Sequence, residues 1–324
     1  MDLFNSPISH FLASINLWKV ATIILLAINV KCLPFVWHYR IFNPLVRAAW
    51  LRFRSRSRPV LAPDSKTPAV FLPSITSTYA PLLECDYNLH KSNSTYFTDL
   101  DASRSYLLSY LCYDGLAKVD RELATEGKKG MLAAIIGSVT TSFKKEIRIF
   151  QEYEVWSRII TWDRKWLYIV THFVQKGSVK PAGYVAASST RLGLKNSGGE
   201  SKTGSTQPII FATSVSKYVF KKGRLTIPPE RLLRASGLLE HGDDNGVRGK
   251  DMDRSVDGHK SASDSTLPEH IELERLKGMV YAESWNRLDS LHEQLLKEDE
   301  ISEGVLAIDH VGDISLPWRR SPTV

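Results

Sequence analysis

A carboxylate, an imidazole and an amide lie within eight residues of one another, at Asp86, His90 and Asn93. Directly after them, apolar residues recur at spacings of three and four, which predicts a helix over residues 94–112 with Asn93 or Ser94 as its N-cap. The start of a helix presents backbone N–H groups that attract negative charge, including the oxyanion that forms when a carbonyl carbon is attacked. The spacing therefore predicts acyl chemistry where a loop runs into a helix.

The elements that would position these residues follow a simple order. An apolar, turn-bounded run precedes the site, and the segments after the helix alternate apolar and polar residues or are rich in β-branched and aromatic ones. The predicted strands cover residues 131–143, 146–155, 166–175 and 209–220. A strand, a helix and then four strands are typical of an α+β fold, with one antiparallel sheet packed on one helix. Gly- and Ser-rich sequence near residues 190–206 predicts a disordered insertion in the sheet.

The motif around the three polar residues is specific. It reads Asp-x-Asn-x-His-x-x-Asn-x-x-Tyr from Asp86 to Tyr96, followed by an acid-x-x-Arg that ends at Arg104. This pattern resembles the hot-dog-fold thioesterases of the 4-hydroxybenzoyl-CoA thioesterase-like branch, with its membrane-anchored members and their fungal relatives. The resemblance implies a hot-dog fold, in which a curved antiparallel sheet wraps a central helix. It also implies that Asp86 is the catalytic carboxylate, as nucleophile or as base for a water, with His90 and Asn93 beside it.

The resemblance also implies a substrate class and an assembly. The expected substrate is an acyl-CoA or acyl-carrier-protein thioester, in fungal lipid or secondary metabolism, and subunits of this family pair through their sheets, so a homo-oligomer is expected. Lys91 and Ser92 depart from the family pattern, which has an apolar residue and an Asn there. A catalytically weak acyl-binding or membrane scaffold protein is therefore a rival interpretation, as is a dehydratase or acyl transferase of the same fold. No cofactor or metal is expected, because no second His or Cys lies nearby at ligand spacing.

Substrate-binding roles are predicted for residues in two places. Ser94, Thr95 and Tyr96 follow the predicted catalytic residues directly, and backbone N–H groups near Asn93 to Thr95 could bind the oxyanion. Lys217 and Lys221 lie along the last predicted strand and could hold the phosphates of CoA or of a carrier protein. The alternative for the lysines is a solvated edge strand that they protect from pairing.

The N-terminal residues 1–64 are predicted to be a membrane-anchor helix followed by a basic connector. The segment 11–37 is long enough to cross a bilayer if Lys19 and Lys31 reach the two interfaces. Eight Lys and Arg residues and one acid precede residue 60, which places the rest of the chain on the cytosolic side, at the endoplasmic reticulum. The alternatives are an interfacial or core helix and a mitochondrial presequence.

Composition and the remaining sequence limit the possible partners and the domain boundaries. The net charge of +7 permits an acidic partner, but nucleic acid is not expected, because no zinc spacing, recognition helix or aromatic platform accompanies it. The thioesterase-like domain is predicted over residues 65–237, and a disordered linker over 238–267. An amphipathic helix and tail are predicted over 268–324, with these apolar residues on one side of the helix: Ile271, Leu276, Met279, Leu288, Leu291 and Leu295.

Overall fold

The computed structural model describes residues 16–55, 60–61, 67–179, 185–186, 208–239 and 268–289. The chain divides into two units, Met1–Met279 and Val280–Val324. Of the second unit, the structure describes the helical residues 280–289, among which Leu288 is exposed. The predicted insertion at 190–206, most of the predicted linker and the predicted tail lie outside the described residues.

The strands in the described ranges are β1 (Val60–Leu61), β2 (Ser74–Tyr79), β3 (Leu132–Phe143), β4 (Glu152–Trp162), β5 (Trp166–Gln175), β6 (Val185–Ala186), β7 (Ile210–Lys222) and β8 (Leu225–Ile227). The main sheet contains five antiparallel strands in the order β2-β4-β5-β7-β3, and the short strand β8 pairs with β7. The two-residue strands β1 and β6 pair with each other in a separate sheet. The predicted order of one strand, one helix and four long strands is confirmed.

Five helices accompany the sheet in the described ranges. They are α1 (Leu17–Ile28), α2 (Val36–Ser55), α3 (Tyr96–Thr125), α4 (Pro229–Ala235) and α5 (Glu269–Asp289). The central helix α3 packs against the sheet because its apolar residues recur on one side, and Leu100, Leu107 and Leu111 are buried. Burial alternates along the strands with a period of two. On β4, Tyr153 and Val155 are buried, and Glu154 between them is half-buried.

The start and the length of α3 differ from the prediction. A 3₁₀ turn at Asn93–Thr95 precedes the helix, and Thr95 occupies the N-cap position without a capping hydrogen bond from its side chain. The helix continues to Thr125, and Gly115 within it permits close contact with α4. A Cβ at Gly115 would lie 2.3 Å from the carbonyl oxygen of Leu232.

The predicted single span over residues 11–37 is wrong, since the helix α1 ends at Ile28 after 12 residues. At 1.5 Å per residue, α1 is about 18 Å long. A 3₁₀ turn at Val30–Cys32 follows, and α2 occupies most of the predicted connector. Lys31 does not reach a membrane interface, because its side chain is buried in the protein. In the described ranges, no helix combines the length and apolar character needed to cross a membrane.

The predicted C-terminal helix is confirmed as α5, but its buried side differs from the predicted one. Ile271 is buried in the main core, whereas Leu276 is exposed. Gly278 lies so close to β4 that a Cβ there would be 2.2 Å from the carbonyl oxygen of Ile160. The contact therefore depends on a residue without a side chain, which a search for apolar periodicity does not detect.

Candidate active site

The loop of residues 85–92 connects two 3₁₀ turns and carries the candidate carboxylate. The backbone N–H of Asp86 donates to the carbonyl oxygen of His90 (2.8 Å), and that of Leu89 donates to the carbonyl oxygen of Asp86 (3.0 Å). The Oδ1 of Asp86 accepts hydrogen bonds from the N–H groups of Asn88 (2.9 Å) and His90 (3.4 Å). Leu89 has φ of 58°, a left-handed conformation that is uncommon outside glycine. These bonds fold the loop tightly around its own carboxylate.

A cavity of about 300 Å³ opens beside this loop. Its lining residues are Asp86, His90, Lys91, Asn93, Tyr96, Phe143, Lys144, Lys145 and Glu146. The structure thus brings together all three residues predicted to be catalytic, and Tyr96 with them. Their chemical roles stay predictions, but their convergence on one cavity is a structural fact.

Tyr96 forms part of the cavity wall. Its ring packs edge-on against Phe143 (5.1 Å between centroids) and Phe173 (4.9 Å). Burial, with the nearby Asp99 and Glu146, raises the pKa of the Tyr96 hydroxyl. This hydroxyl therefore stays protonated at neutral pH and can donate a hydrogen bond.

Ser94 and Thr95 do not line the cavity. Ser94 is exposed, and its Oγ lies 3.2 Å from the Oγ of Ser92. The Thr95 hydroxyl donates to the carbonyl oxygens of Ser92 (2.7 Å) and Glu84 (3.2 Å), and its N–H donates to Ser92 (2.9 Å). Because the Thr95 N–H already holds the turn together, the predicted oxyanion donors reduce to the N–H groups of Asn93 and Ser94.

Lys217 and Lys221, predicted to bind substrate, are not among the residues that line the cavity. Lys217 is buried on β7, with its Nζ 4.9 Å from the centroid of the Trp166 ring. Lys221 pairs in register with Ala133, close to the C-terminal end of β7. Position along a strand alone could not decide this, because the neighbours of β7 come from distant parts of the sequence.

Two other lysines, missed in the sequence, lie at the cavity instead. Lys144 and Lys145 follow β3 directly, and their N–H groups both donate to the carbonyl oxygen of Phe211, at 2.7 and 3.0 Å. Both side chains are exposed. Residues 146–149 were predicted to begin a strand, but β4 begins at Glu152, and the intervening loop closes one wall of the site. A dibasic pair directly after a long strand was the available signal.

Comparison with known proteins places this geometry in a family. Residues 80–203 match the thioesterase-like superfamily. The chain is 34% identical over 296 residues to the probable thioesterase atnL of Emericella nidulans, covering 88% of this chain and 90% of that protein. It is 31% identical to the thioesterase poxG of Penicillium oxalicum, covering 86% of each chain, and 32% identical to the thioesterase lcsJ of Purpureocillium lilacinum, covering 86% of this chain and 92% of that one.

The chain belongs to the thioesterase-like hot-dog superfamily. The predicted family is therefore confirmed, together with the antiparallel sheet and central helix of its fold. Its class of activity is the hydrolysis of a thioester.

In this hot-dog thioesterase, Lys91 departs from the family pattern, and its ion pairs account for a charged residue at that position. Its ammonium group forms ion pairs with Glu84 and with Asp99, the latter at 3.0 Å, and its side chain is fully buried. Lys31 and Arg40 complete what we name the buried ion cluster: Lys31, Arg40, Glu84, Lys91 and Asp99. The positive charge of Lys91 is thus compensated by the carboxylates of Glu84 and Asp99.

Asp99 is the most enclosed member of the buried ion cluster. Burial alone would raise the pKa of its carboxyl group, but the three neighbouring cations and the Tyr153 hydroxyl hold that pKa well below its usual range. Asp99 therefore stays ionised at neutral pH.

Two further features of the thioesterase are structural. Burial raises the pKa of the Cys85 thiol, so this neighbour of Asp86 is a poor nucleophile at neutral pH.

Arg104 is buried and donates to Asp101 (2.5 Å) and to the Oγ of Ser216 (2.6 Å), which ties α3 to β7. Within the described residues, no group of three His, Cys, Asp or Glu side chains is arranged to hold a metal ion.

Proposed function

We propose that this thioesterase hydrolyses an acyl-CoA or acyl-carrier-protein thioester with Asp86 as its catalytic carboxylate. The observation that carries the proposal is the convergence of Asp86, His90 and Asn93 on one open cavity. A thioester carbonyl requires a nucleophile, or a water activated by a base, and donors for the oxyanion. This cavity offers both kinds of group.

Two routes are open to Asp86. As nucleophile, its oxygen bonds to the acyl carbon, the C–S bond breaks, and the thiolate leaves; water then cleaves the mixed anhydride and restores the carboxylate. As base, it takes a proton from water while the hydroxide adds to the carbonyl carbon, and the thiolate leaves from the tetrahedral intermediate. Because two loop N–H groups bind Oδ1, we assign either step to Oδ2.

The neighbours of Asp86 have supporting roles in both routes. The N–H group of Asn93, which lines the cavity at the start of the helical segment, is the proposed oxyanion donor. His90 orients or polarises the carbonyl group, and the protonated Tyr96 hydroxyl offers a further donor at the cavity wall.

The test is turnover of a panel of acyl-CoAs by the full-length protein. Hydrolysis is the expected result. Binding of acyl-CoA without cleavage would favour the acyl-binding interpretation, and transfer to an acceptor other than water would favour an acyl transferase. A single turnover in ¹⁸O-labelled water tests the nucleophile route. Label in the peptide that contains Asp86 can come only from attack of water on the aspartyl carbonyl of the mixed anhydride.

We further propose that Lys144 and Lys145 bind the phosphate groups of the carrier. Both are exposed cations at the cavity, where a phosphopantetheine arm would have to enter. Replacing both by Met should raise KM by about tenfold, the effect of losing about 1.4 kcal/mol of binding, and leave kcat unchanged. The matched control is Lys128→Met and Lys129→Met, a second exposed pair that does not line the cavity.

We also propose that the enzyme works at the surface of an anionic membrane, with the cytosolic face of the endoplasmic reticulum as the predicted location. The residues of α1 up to Ala27 are all exposed or half-buried, and its exposed large side chains are Leu17, Trp18, Val20, Ile23, Ile24, Leu25 and Leu26. Along α2, exposed apolar residues recur at spacings of three and four: Tyr39, Phe42, Val46, Trp50 and Phe53. Such helices, in a segment without acids between residues 3 and 63, suit the plane of a lipid interface.

Vesicle sedimentation tests this association. The full-length protein should bind phosphatidylserine-containing vesicles more tightly than pure phosphatidylcholine ones. The double substitution Ile23→Asp and Ile24→Asp should abolish the binding, whereas Leu273→Asp, at an exposed leucine of α5, should leave it intact. Equal binding by all three proteins would remove the proposal.

We propose, finally, that a second copy pairs along β3. This strand has only β7 as a partner in the described sheet, and Ile135 and Ile136 on it are about half exposed. Phe143, at the end of the same strand, lines the cavity, so a partner strand there would lie beside the open site. Ile135→Lys should shift the protein from dimer to monomer in analytical ultracentrifugation; a monomeric wild type would contradict this.

A further inference from the structure

We propose that the N-terminal segment from Asn29 to Arg40 positions the active-site loop, and that Lys31 is its principal positioning residue. The proposal rests on the proposed function, since it concerns the same loop. It gives this segment a part in catalysis that is separate from any contact with a membrane.

Lys31 reaches the residues that lie directly before the loop. Its Nζ is 2.8 Å from the Oε2 of Glu84 and donates to the carbonyl oxygen of Tyr79 (3.1 Å). It also pairs with Asp99 on α3, at 2.9 Å. One ammonium group of the N-terminal segment therefore binds the entry to the loop and the helix after it.

Asn29 makes a second attachment, two residues before Lys31. Its Oδ1 accepts a hydrogen bond from the N–H of Leu83 (2.8 Å), and its Nδ2 donates to the carbonyl oxygen of Leu25 (2.8 Å). Asn29 is buried, with 1% of its surface exposed. The end of α1 and the 3₁₀ turn at Leu82–Glu84 are thus held together at two independent points.

Glu84 transmits this placement to both ends of the loop. Its carboxylate binds Lys31 and Lys91, and its carbonyl oxygen accepts from the N–H of Ser92 (2.8 Å) and the hydroxyl of Thr95 (3.2 Å). The residues between Glu84 and Ser92 include Asp86 and His90. A shift of Glu84 would therefore move the candidate carboxylate relative to the helix start that is to bind the oxyanion.

Arg40 holds the same arrangement from α2. It pairs with Asp99 at 2.7 Å, and the Tyr153 hydroxyl donates to the other oxygen of Asp99 at 2.5 Å. The buried ion cluster thus contains three cations and two carboxylates. Burial lowers the pKa of Lys31, against the opposing effect of Asp99, and Lys91 lowers it further. Burying a cluster with one excess cation adds little to stability, because desolvation of the charges offsets their attraction. Such a cluster fits a role in fixing the position of the loop.

The experiment compares Lys31→Met and Lys31→Arg in the full chain with a matched control, Lys222→Met. Lys222 is also a buried lysine, bound to Asp120 at 2.6 Å near the opposite end of the sheet. Lys31→Met should lower kcat about tenfold to a hundredfold at a temperature where the protein stays folded, because small misplacements of catalytic groups are costly. Lys31→Arg should restore most of the loss, and Lys222→Met should lower Tm with kcat kept.

Hydrogen exchange supplies a readout that does not depend on activity. In Lys31→Met, the amides of Lys91 and Ser92, which bond to Ile147 and Glu84, should exchange faster than in the wild type and in Lys222→Met. Faster exchange with no thioesterase activity in the wild type would remove the proposed function and keep the positioning role. Unchanged exchange and wild-type kcat in Lys31→Met would overturn the inference. If Lys31→Met does not fold, the milder Asn29→Ala is measured by the same two criteria.

Discussion

The loop of residues 85–92 uses charge in opposite ways on its two sides. Towards the cavity, Asp86 and His90 are half-buried and reach solvent. Towards the interior, the side chain of Lys91 is fully buried and compensated by Glu84 and Asp99. Groups that reach water can exchange protons and attack a substrate, whereas paired groups in a low-dielectric interior keep one charge state and one position. In the proposed mechanism, reaction and positioning are therefore divided between neighbouring residues of one loop.

The cavity side is tested by Asp86→Asn, which keeps the Oδ1 that accepts the loop N–H groups and removes the charge. We expect kcat to fall by about 10²–10⁴, the usual scale for losing a general base or nucleophile. Tm and acyl-CoA affinity should stay close to the wild-type values, since the interior side is unchanged. Wild-type turnover in this variant would leave Asp86 with a purely structural role in the turn.

The interior side is tested by Glu84→Gln. Removing this carboxylate leaves Asp99 as the one carboxylate of the buried ion cluster beside three cations. The loss should cost about 3–5 kcal/mol of unfolding free energy. The control is Glu152→Gln, which removes an exposed pair with Lys176 and should cost about 0–1 kcal/mol. Urea unfolding curves measure both. Equal losses for the two variants would mean that burial does not distinguish these ion pairs.

His90→Ala sharpens the comparison within the cavity side. If the imidazole only orients or polarises the carbonyl group, kcat should fall about tenfold to a hundredfold, less than for Asp86→Asn. Steady-state kinetics of the two variants on one acyl-CoA give the ratio. A loss larger than that of Asp86→Asn would make His90 the principal group of the site.

His172 on β5 gives the smallest expected effect, in a region remote from both sides of the loop. Burial and the nearby Arg158 lower the pKa of its imidazole from the usual 6.5. The unfolded chain therefore binds more protons than the folded one just below pH 6.5, and stability falls there as pH decreases, by at most about 1.4 kcal/mol per pH unit. His172→Gln should flatten this dependence in urea unfolding measured above and below pH 6.5. The same slope in both proteins would show that another group titrates.

The sequence predicted the fold where local pattern determines it. The period of two along β4 and the spacing of three and four along α3 follow directly from backbone geometry. The motif from Asp86 to Asn93 is short, so its residues meet in the same cavity with little help from distant parts of the chain.

The errors concern long-range contacts. The burial of Lys91 could not be predicted, because its partner Asp99 and the neighbouring cation Lys31 come from different elements. The sequence could not show that Lys144 lies at the cavity and Lys217 does not, because the pairing of distant strands decides which lysine reaches it. The span over residues 11–37 failed for the same reason: the partners of Lys31 lie 53 and 68 residues further along the chain.

Those separations impose an order on biosynthesis. Domains generally begin to fold from the N-terminus as the chain leaves the ribosome. Lys31 emerges early but binds Glu84 and Asp99, and its hydrogen bond to Tyr153 spans 122 residues. The segment from Asn29 to Arg40 therefore cannot take its final place until about half of the chain has been translated. The apolar side chains of α1 are exposed during that interval and stay exposed in the folded protein, so a lipid surface that binds them early need not release them.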